Sequence, residues 1–174
     1  MDTAEKVREA LKSWKEGDRL FDAGNFAGSV SSYKRALDLS RSLPTEEEFD
    51  HLGFEASCNA GLSGSLGRLG RHAESLVAAD AALVFFDRSG NMYPVEAGKW
   101  MMAVVNRGAA LAMLSRPNEA LEAFKRAKKM LSERGMNSVE NRQWISIVDQ
   151  NISSVQTMLR GGAQKSSPWW KFWS

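Results

Sequence analysis

The residue types that most often carry chemistry are few in this 174-residue chain, and they are poorly spaced for it. The single cysteine, Cys58, and the two histidines, His51 and His72, do not form the closely spaced ligand set that a zinc site requires. One cysteine cannot form a disulfide within the chain, which fits a reducing compartment. We interpret both histidines as surface or packing residues, and we expect no metal and no cofactor.

A run rich in glycine and serine, from Gly61 to Gly70, is the second place where chemistry would be sought. A phosphate-binding loop needs Gly-Lys-Ser or Gly-Lys-Thr after its glycines, and neither follows here. The segment from Ser63 to Gly67 lacks the first glycine of a nucleophile elbow, and no strand precedes it. Gly61, Gly64 and Gly67 are spaced three apart inside an expected helix, which predicts either close packing between helices or a groove that a ligand approaches closely. The chain is therefore expected not to be an enzyme.

Composition and charge argue against two further classes of function. The chain is 43% hydrophobic and 25% charged, as is typical of soluble globular proteins. Its formal net charge of +2 is too small to indicate nucleic-acid binding. The N-terminal residues have no apolar core like that of a secretory signal, and no apolar run is long enough for a transmembrane helix. These features together predict a cytoplasmic protein.

Apolar residues recur with a helical period along almost the whole chain, whereas the alternation typical of strands is absent. Asp2, followed three residues later by Glu5, predicts an N-terminal cap for the first helix, which should end at the Gly24-Asn25 break. Thr45, followed by three glutamates, predicts the start of the third helix. The remaining helices are expected over residues 26–43, 45–69, 71–87, 94–114, 117–135 and 138–160.

The sequence also repeats itself at a spacing of 45 to 46 residues. In each copy the same slots hold a small residue, a leucine, a turn residue, a second small residue, an aliphatic residue and a late alanine. Self-similarity at a fixed period is typical of repeat arrays. The three copies are Gly17, Leu20, Gly24, Ser29, Val30, Tyr33 and Ala36; Ser63, Leu66, Gly70, Ser75, Leu76, Ala79 and Ala82; and Gly108, Leu111, Ser115, Ala120, Leu121, Phe124 and Ala127.

These slots resemble the tetratricopeptide repeat (TPR), a helix–turn–helix unit. The third copy is the most similar, because Gly108, Leu111, Ala120, Phe124 and Ala127 stand where that family places Gly, Leu or an aromatic, Ala, an aromatic and Ala. The usual repeat has about 34 residues. The excess here is close to three helical turns, which would keep the packing faces in phase. The copies therefore resemble long-helix variants of the family.

The resemblance implies an all-α fold, a right-handed α-solenoid of three TPR-like helix pairs plus a C-terminal capping helix. The pairs would cover residues 3–43, 45–88 and 94–135, and the cap residues 138–160. An array of residues 1–162 would then be followed by a polar linker and an aromatic tail over residues 163–174. A capping helix is expected because the last repeat of an array needs its apolar face covered.

The resemblance also implies a concave groove lined by the first helix of each pair. The carboxylate-binding members of the family use Lys and Asn at these slots, where this chain has Trp14, Asp18 and Met102, so that activity is not expected. The groove is apolar and adaptable where methionine lines it. We therefore expect an adaptor or chaperone that binds an apolar or aromatic segment of a protein partner. The groove residues would be Trp14, Asp18, Phe21, Ala60, Gly64, Gly67, Met102, Val105, Ala109 and Met113, with Leu11 and Val105 equally compatible with the core.

The aromatic tail supports alternative hypotheses. Trp169, Trp170, Phe172 and Trp173 would together expose roughly 600–1,000 Å², more than soluble proteins usually leave bare. The tail is expected to act as a docking peptide for another protein, or as an anchor at a membrane surface, where Trp and Lys are favoured. It would otherwise bind in a groove of its own chain or of a neighbour, which would give a self-assembling homo-oligomer. The residues alone leave these alternatives open.

Overall fold

The structure is a computed structural model that describes residues 2–44, 49–89, 97–133 and 139–161. Within these ranges the chain forms α-helices and no strands, and 88% of the described residues are helical. The expected all-α fold is thus confirmed. The helices are α1 (Thr3–Asp22), α2 (Phe26–Arg41), α3 (His51–Arg68), α4 (His72–Ser89), α5 (Ala97–Met113), α6 (Pro117–Glu133) and α7 (Val139–Leu159).

The helices stack in chain order as an α-solenoid. The most extensive contacts join α1 to α2, α3 to α4, and α5 to α6, and each pair also packs on the next. The odd-numbered helices contact one another, α1 with α3 and α3 with α5, whereas α2, α4 and α6 hardly touch. Because only the odd-numbered helices are drawn together, they form the inner, concave layer of the array, and the even-numbered helices form the outer layer.

The turn that closes the first helix of each pair has the same geometry three times. Gly24 and Gly70 have φ of 74°, and Ser115 has φ of 59°, so all three are left-handed. A residue in this conformation ends a helix because it lets the next N–H reach back to a carbonyl five residues earlier. Those bonds are 2.8–3.0 Å long. They run from Asn25 to Leu20, from Arg71 to Leu66 and from Arg116 to Leu111.

Small residues allow the two helices of a pair to approach closely. A Cβ atom added at Gly17 would lie 2.8 Å from the ring of Tyr33, and one at Gly108 would lie 2.8 Å from the ring of Phe124. The Ser29 hydroxyl donates to the Gly17 carbonyl at 2.8 Å. In the second copy the Ser75 hydroxyl donates to the Ser63 carbonyl in the same way, at 2.7 Å. The last slot of each copy holds a fully buried alanine: Ala36, Ala82 and Ala127.

Several helix boundaries differ from those expected, and α4 ends at Ser89 where Asp87 was expected. The start of the third helix at Thr45 is wrong, because residues 49 and 50 are not helical and α3 begins at His51. Asp50 is its N-cap, and the Asp50 carboxylate accepts the Gly53 N–H at 3.0 Å, which satisfies a free donor at the helix start. Residues 45–48 lie outside the described residues. Helix α2 ends at Arg41, two residues before Leu43.

Helix α7 covers the C-terminal end of the core. Val148 and Val155 are buried in it, and Trp144, Ile147 and Ile152 pack half-buried beside them. The opposite face of the helix is polar and exposed, as the outer face of a terminal repeat must be. That face consists of Arg142, Gln143, Ser146, Asp149, Gln150, Ser153, Gln156 and Thr157.

Candidate functional site

An ion pair spans the concave groove near its N-terminal end. The Lys99 ammonium of α5 donates to Asp18 Oδ1 of α1 at 2.5 Å. The Tyr33 hydroxyl of α2 donates to the same oxygen at 2.5 Å. Helix α3 runs between these helices, and a Cβ at Gly61 would overlap the Tyr33 hydroxyl. The missing side chain in α3 therefore lets groups from α1, α2 and α5 meet.

Burial and the Asp18 carboxylate together set the state of the Tyr33 hydroxyl. Burial of the ring raises the pKa of Tyr33 far above its ordinary value, and the hydrogen bond to Asp18 raises it further. Both effects disfavour a phenolate beside a carboxylate. Tyr33 is consequently a permanent donor to Asp18, and it holds that carboxylate in place for Lys99.

Trp14 lies beside this ion pair and is half-buried. Its ring meets Phe54 edge-on at 6.3 Å between centroids, and Lys99 Nζ lies 5.6 Å from its ring centre. The latter distance permits a cation–π attraction. The indole Nε1–H is buried and has no hydrogen-bond partner within the described part of the chain. A buried donor without a partner costs about 1–3 kcal/mol, so the Trp14 indole N–H is a donor that the described helices leave unused.

Further along the groove, side chains of the protein itself fill the space over Gly64. A Cβ at Gly64 would lie 3.2 Å from Asn106 Nδ2 and 3.3 Å from Phe21 Cε2. The Asn106 amide is fixed by donating to Ser63 Oγ at 2.9 Å. The enclosed space left here is about 40 Å³, enough for a few water molecules but not for an aromatic ring. At Gly64 the missing side chain therefore serves packing between α1, α3 and α5.

The predicted groove residues divide into two groups. Ala60, Gly64 and Val105 are buried in the core, with Ala60 at 0% and Val105 at 1% exposure. Leu11 is exposed on a different surface of α1, among basic side chains. The others are half-buried on helices of the inner layer: Trp14, Asp18, Phe21, Gly67, Met102, Ala109 and Met113. Trp169, Trp170, Phe172 and Trp173 lie outside the described residues.

Sequence reasoning missed two residues that shape the groove, Lys99 and Asn106. A signal for both was present in the sequence. Lys99 precedes Met102 by three residues and Asn106 by seven, so helical spacing places all three on one face of α5. The pairing of Lys99 with Asp18 could not be read from this spacing, because it depends on how closely α1 approaches α5.

The described residues give little sign of metal or thiol chemistry. They contain no group of three His, Cys, Asp or Glu side chains that could hold a metal ion. Burial raises the pKa of the Cys58 thiol well above its usual range, which makes it a poor nucleophile. Burial lowers the pKa of His72.

None of the described helices is long and apolar enough to span a membrane.

Comparison with known proteins places this fold in a family. The family model described as Domain of Unknown Function (DUF3856) matches residues 3–143. The curated proteins include no match. The crystal structure of a TPR-like protein from Chlorobium tepidum TLS is similar, with a TM-score of 0.82 and 32% sequence identity over 90% of this chain and 99% of that one. The chain therefore belongs to the DUF3856 family, and its fold is TPR-like.

Proposed function

We propose that this chain is a non-enzymatic protein-interaction module, an adaptor or chaperone, that binds an apolar or aromatic segment of a partner protein along its concave groove. TPR-like folds commonly mediate protein interactions, which supports a protein partner in general. The observation that carries the proposal is the set of half-buried apolar side chains on the inner layer. These are Trp14, Phe21, Met102, Ala109 and Met113.

The geometry favours binding near Trp14 and along α5. An aromatic side chain of the partner would pack against the exposed part of the Trp14 ring. The Lys99 ammonium has three donors, of which Asp18 takes one. Another donor can reach a carbonyl of the bound segment. Met102 and Met113 would adapt to side chains of different shape, whereas the narrow space at Gly64 would admit none.

Two finer assignments belong to the same proposal. Equivalent turns recur after 46 and 45 residues, at Gly24, Gly70 and Ser115, which supports placing the array among the long-helix variants of the TPR family. The use of a single cysteine agrees with a reducing, cytoplasmic location.

A randomised peptide library displayed on phage tests this function without a known partner. Peptides selected on the protein are expected to be rich in Trp, Phe, Leu and Met. Replacing both Met102 and Met113 by Glu should weaken their binding at least about tenfold, equivalent to 1.4 kcal/mol. The matched control is Val84→Glu on the outer layer, which should leave affinity unchanged. Selected peptides that bind the double variant as tightly as the parent would contradict the groove assignment.

The aromatic composition of residues 168–174 favours a second candidate function. In this hypothesis the array is a scaffold and the tail acts as a docking peptide, as a membrane-interface anchor, or as the contact that links molecules into oligomers. If the tail is a membrane anchor, removal of residues 168–174 should abolish flotation of the protein with anionic liposomes. If the tail links molecules, the removal should lower the mass measured by light scattering. If the tail is a docking peptide, the removal should expose the surface that it had covered. A protein that shows none of these changes would contradict the second candidate.

A further inference from the structure

The outer layer of the solenoid contains two clefts that differ in the side chains that line them. They lie on either side of α4, because α4 hardly contacts α2 or α6. In the cleft on the α6 side, Arg107 donates to Asp80 at 2.7 Å, and Arg126 pairs with Asp87. No ion pair joins α2 to α4 in the described part of the chain. The two clefts are nevertheless of similar size, about 540 Å³ on the α2 side and about 510 Å³ on the α6 side.

The α2–α4 cleft is apolar at its base, whereas the cleft on the α6 side is lined mostly by charged side chains. Leu62 and Leu66 of α3 form its floor, and Leu37 of α2 and Ala78 of α4 form its walls. Val77 stands at the rim and is 71% exposed. The cleft is a surface groove, open to solvent, of about 540 Å³, a volume within the range of about 300–1,000 Å³ that is usual for binding pockets. The four floor and wall residues are only 2–6% exposed, so an aromatic side chain here would contact mainly Val77, Ala73 and Ala81 at the rim.

We propose that the aromatic tail, residues 169–173, binds in the α2–α4 cleft of its own molecule. This inference rests on the second candidate function, in which the tail is a docking peptide, and it names the docking surface. Four of the five tail residues are aromatic, which matches an apolar floor. The fifth, Lys171, matches the rim residue Asp38, which is exposed and takes part in no ion pair within the described ranges. The same cleft is also lined by Glu74 and by the basic residues Lys34 and Arg41, of which Arg41 pairs with Glu55.

The length of chain between α7 and the tail is sufficient for this contact. Helices α1, α3, α5 and α7 run in the same direction, and Gly161 ends α7 at the edge where Gly70 ends α3 and α4 begins. From α7 to α3 there are two packed helix steps of about 10 Å each, and a further step leads to the outer layer. Because the step to the outer layer is perpendicular to the two steps along the array, the straight path is about 22 Å. The seven residues from 162 to 168 span up to about 23–25 Å when extended.

Paramagnetic relaxation in NMR tests the proposal on the full chain. A nitroxide attached to Ser174→Cys reports where the tail lies, and the buried Cys58 thiol will not take the label. Amide signals of Ala73, Val77 and Ala81 are expected to lose most of their intensity. Val77→Glu should restore these signals. Val84→Glu is the matched control, because Val84 is also exposed, at 62%, on the same helix, but lines the other cleft.

Each other outcome contradicts the proposal in a recognisable way. Broadening at Met102 and Met113 would place the tail in the concave groove, so the second candidate function would stand and the cleft would be wrong. If no amide signal of the described residues is broadened, the tail is not docked on them and the proposal is wrong. The liposome and light-scattering assays would then decide the second candidate function. A mixed sample of isotope-labelled and spin-labelled chains detects binding between molecules, and broadening there would overturn an intramolecular contact.

Discussion

Replacement of Gly108 by alanine tests the packing of a helix pair at a single carbon atom. Gly108 is buried in α5, and an added Cβ would lie 2.8 Å from Phe124 Cε1 and 2.9 Å from Cζ. Carbon atoms in contact are normally at least about 3.5 Å apart, so the ring or the helix must move by about 0.7 Å. Phe124 is only 1% exposed, so its ring is surrounded by other groups of the protein.

Two opposing terms set the expected change in the free energy of unfolding. Overpacking of a core usually costs about 1–3 kcal/mol. Alanine in place of glycine inside a helix stabilises by about 0.5–1 kcal/mol. Gly108→Ala should therefore lower the free energy of unfolding, by up to about 2.5 kcal/mol. Gly67→Ala is the control, because its Cβ would meet Ser75 Oγ at an ordinary 3.4 Å, and it should be neutral or stabilising.

The assay is chemical denaturation followed by far-ultraviolet circular dichroism, completed as a double-mutant cycle with Phe124→Leu. Once the ring is removed, the overlap disappears and only the gain in helix propensity remains. Gly108→Ala should then change sign and stabilise the protein by about 0.5–1 kcal/mol. An effect of Gly108→Ala that is the same in both backgrounds would refute the reasoning, because the ring would then not be the cause.

Three further predictions concern the core, the turns and the thiol. Ala82→Trp and Ala127→Trp replace fully buried alanines and should each cost about 1–3 kcal/mol or more; unchanged denaturation midpoints in both would show that the repeat alignment is wrong. Ser115→Gly should stabilise and Gly70→Ala destabilise, because a left-handed residue other than glycine costs about 1–2 kcal/mol; thermal melting should therefore shift in opposite directions. Burial both covers the Cys58 thiol and raises its pKa. A chromogenic disulfide reagent should therefore react far more slowly with the native than with the denatured protein. Immediate reaction in native buffer would contradict the packing of Cys58.

The pairing of the helices could be predicted from the sequence because each pair depends on residues close together in the chain. The Gly24 and Gly70 turns follow from the conformational freedom of glycine. The hydroxyls of Ser29 and Ser75 each reach a carbonyl only 12 residues away. Slots that repeat along the sequence therefore become contacts that repeat along the solenoid.

Local signals were less reliable where two of them competed. The acidic run after Thr45 resembles a helix start, yet Asp50 caps α3 instead. Both segments satisfy the same rule, that an oxygen-bearing side chain precedes the free N–H groups. The choice between them depends on where α3 must begin to pack on α2 and α4, which the local sequence does not contain.

The sequence by itself determined the all-α class, the repeat and the small residues at which paired helices meet, because these depend on neighbours along the chain. The openness of the groove was decided only by the tertiary structure. Asp18 and Lys99 are separated by 81 positions in the sequence, and Phe21 and Asn106 converge over Gly64 from different helices. Which side chains fill a groove depends on the approach of α1 to α5 across α3, a distance set by the whole stack of helices rather than by any one repeat.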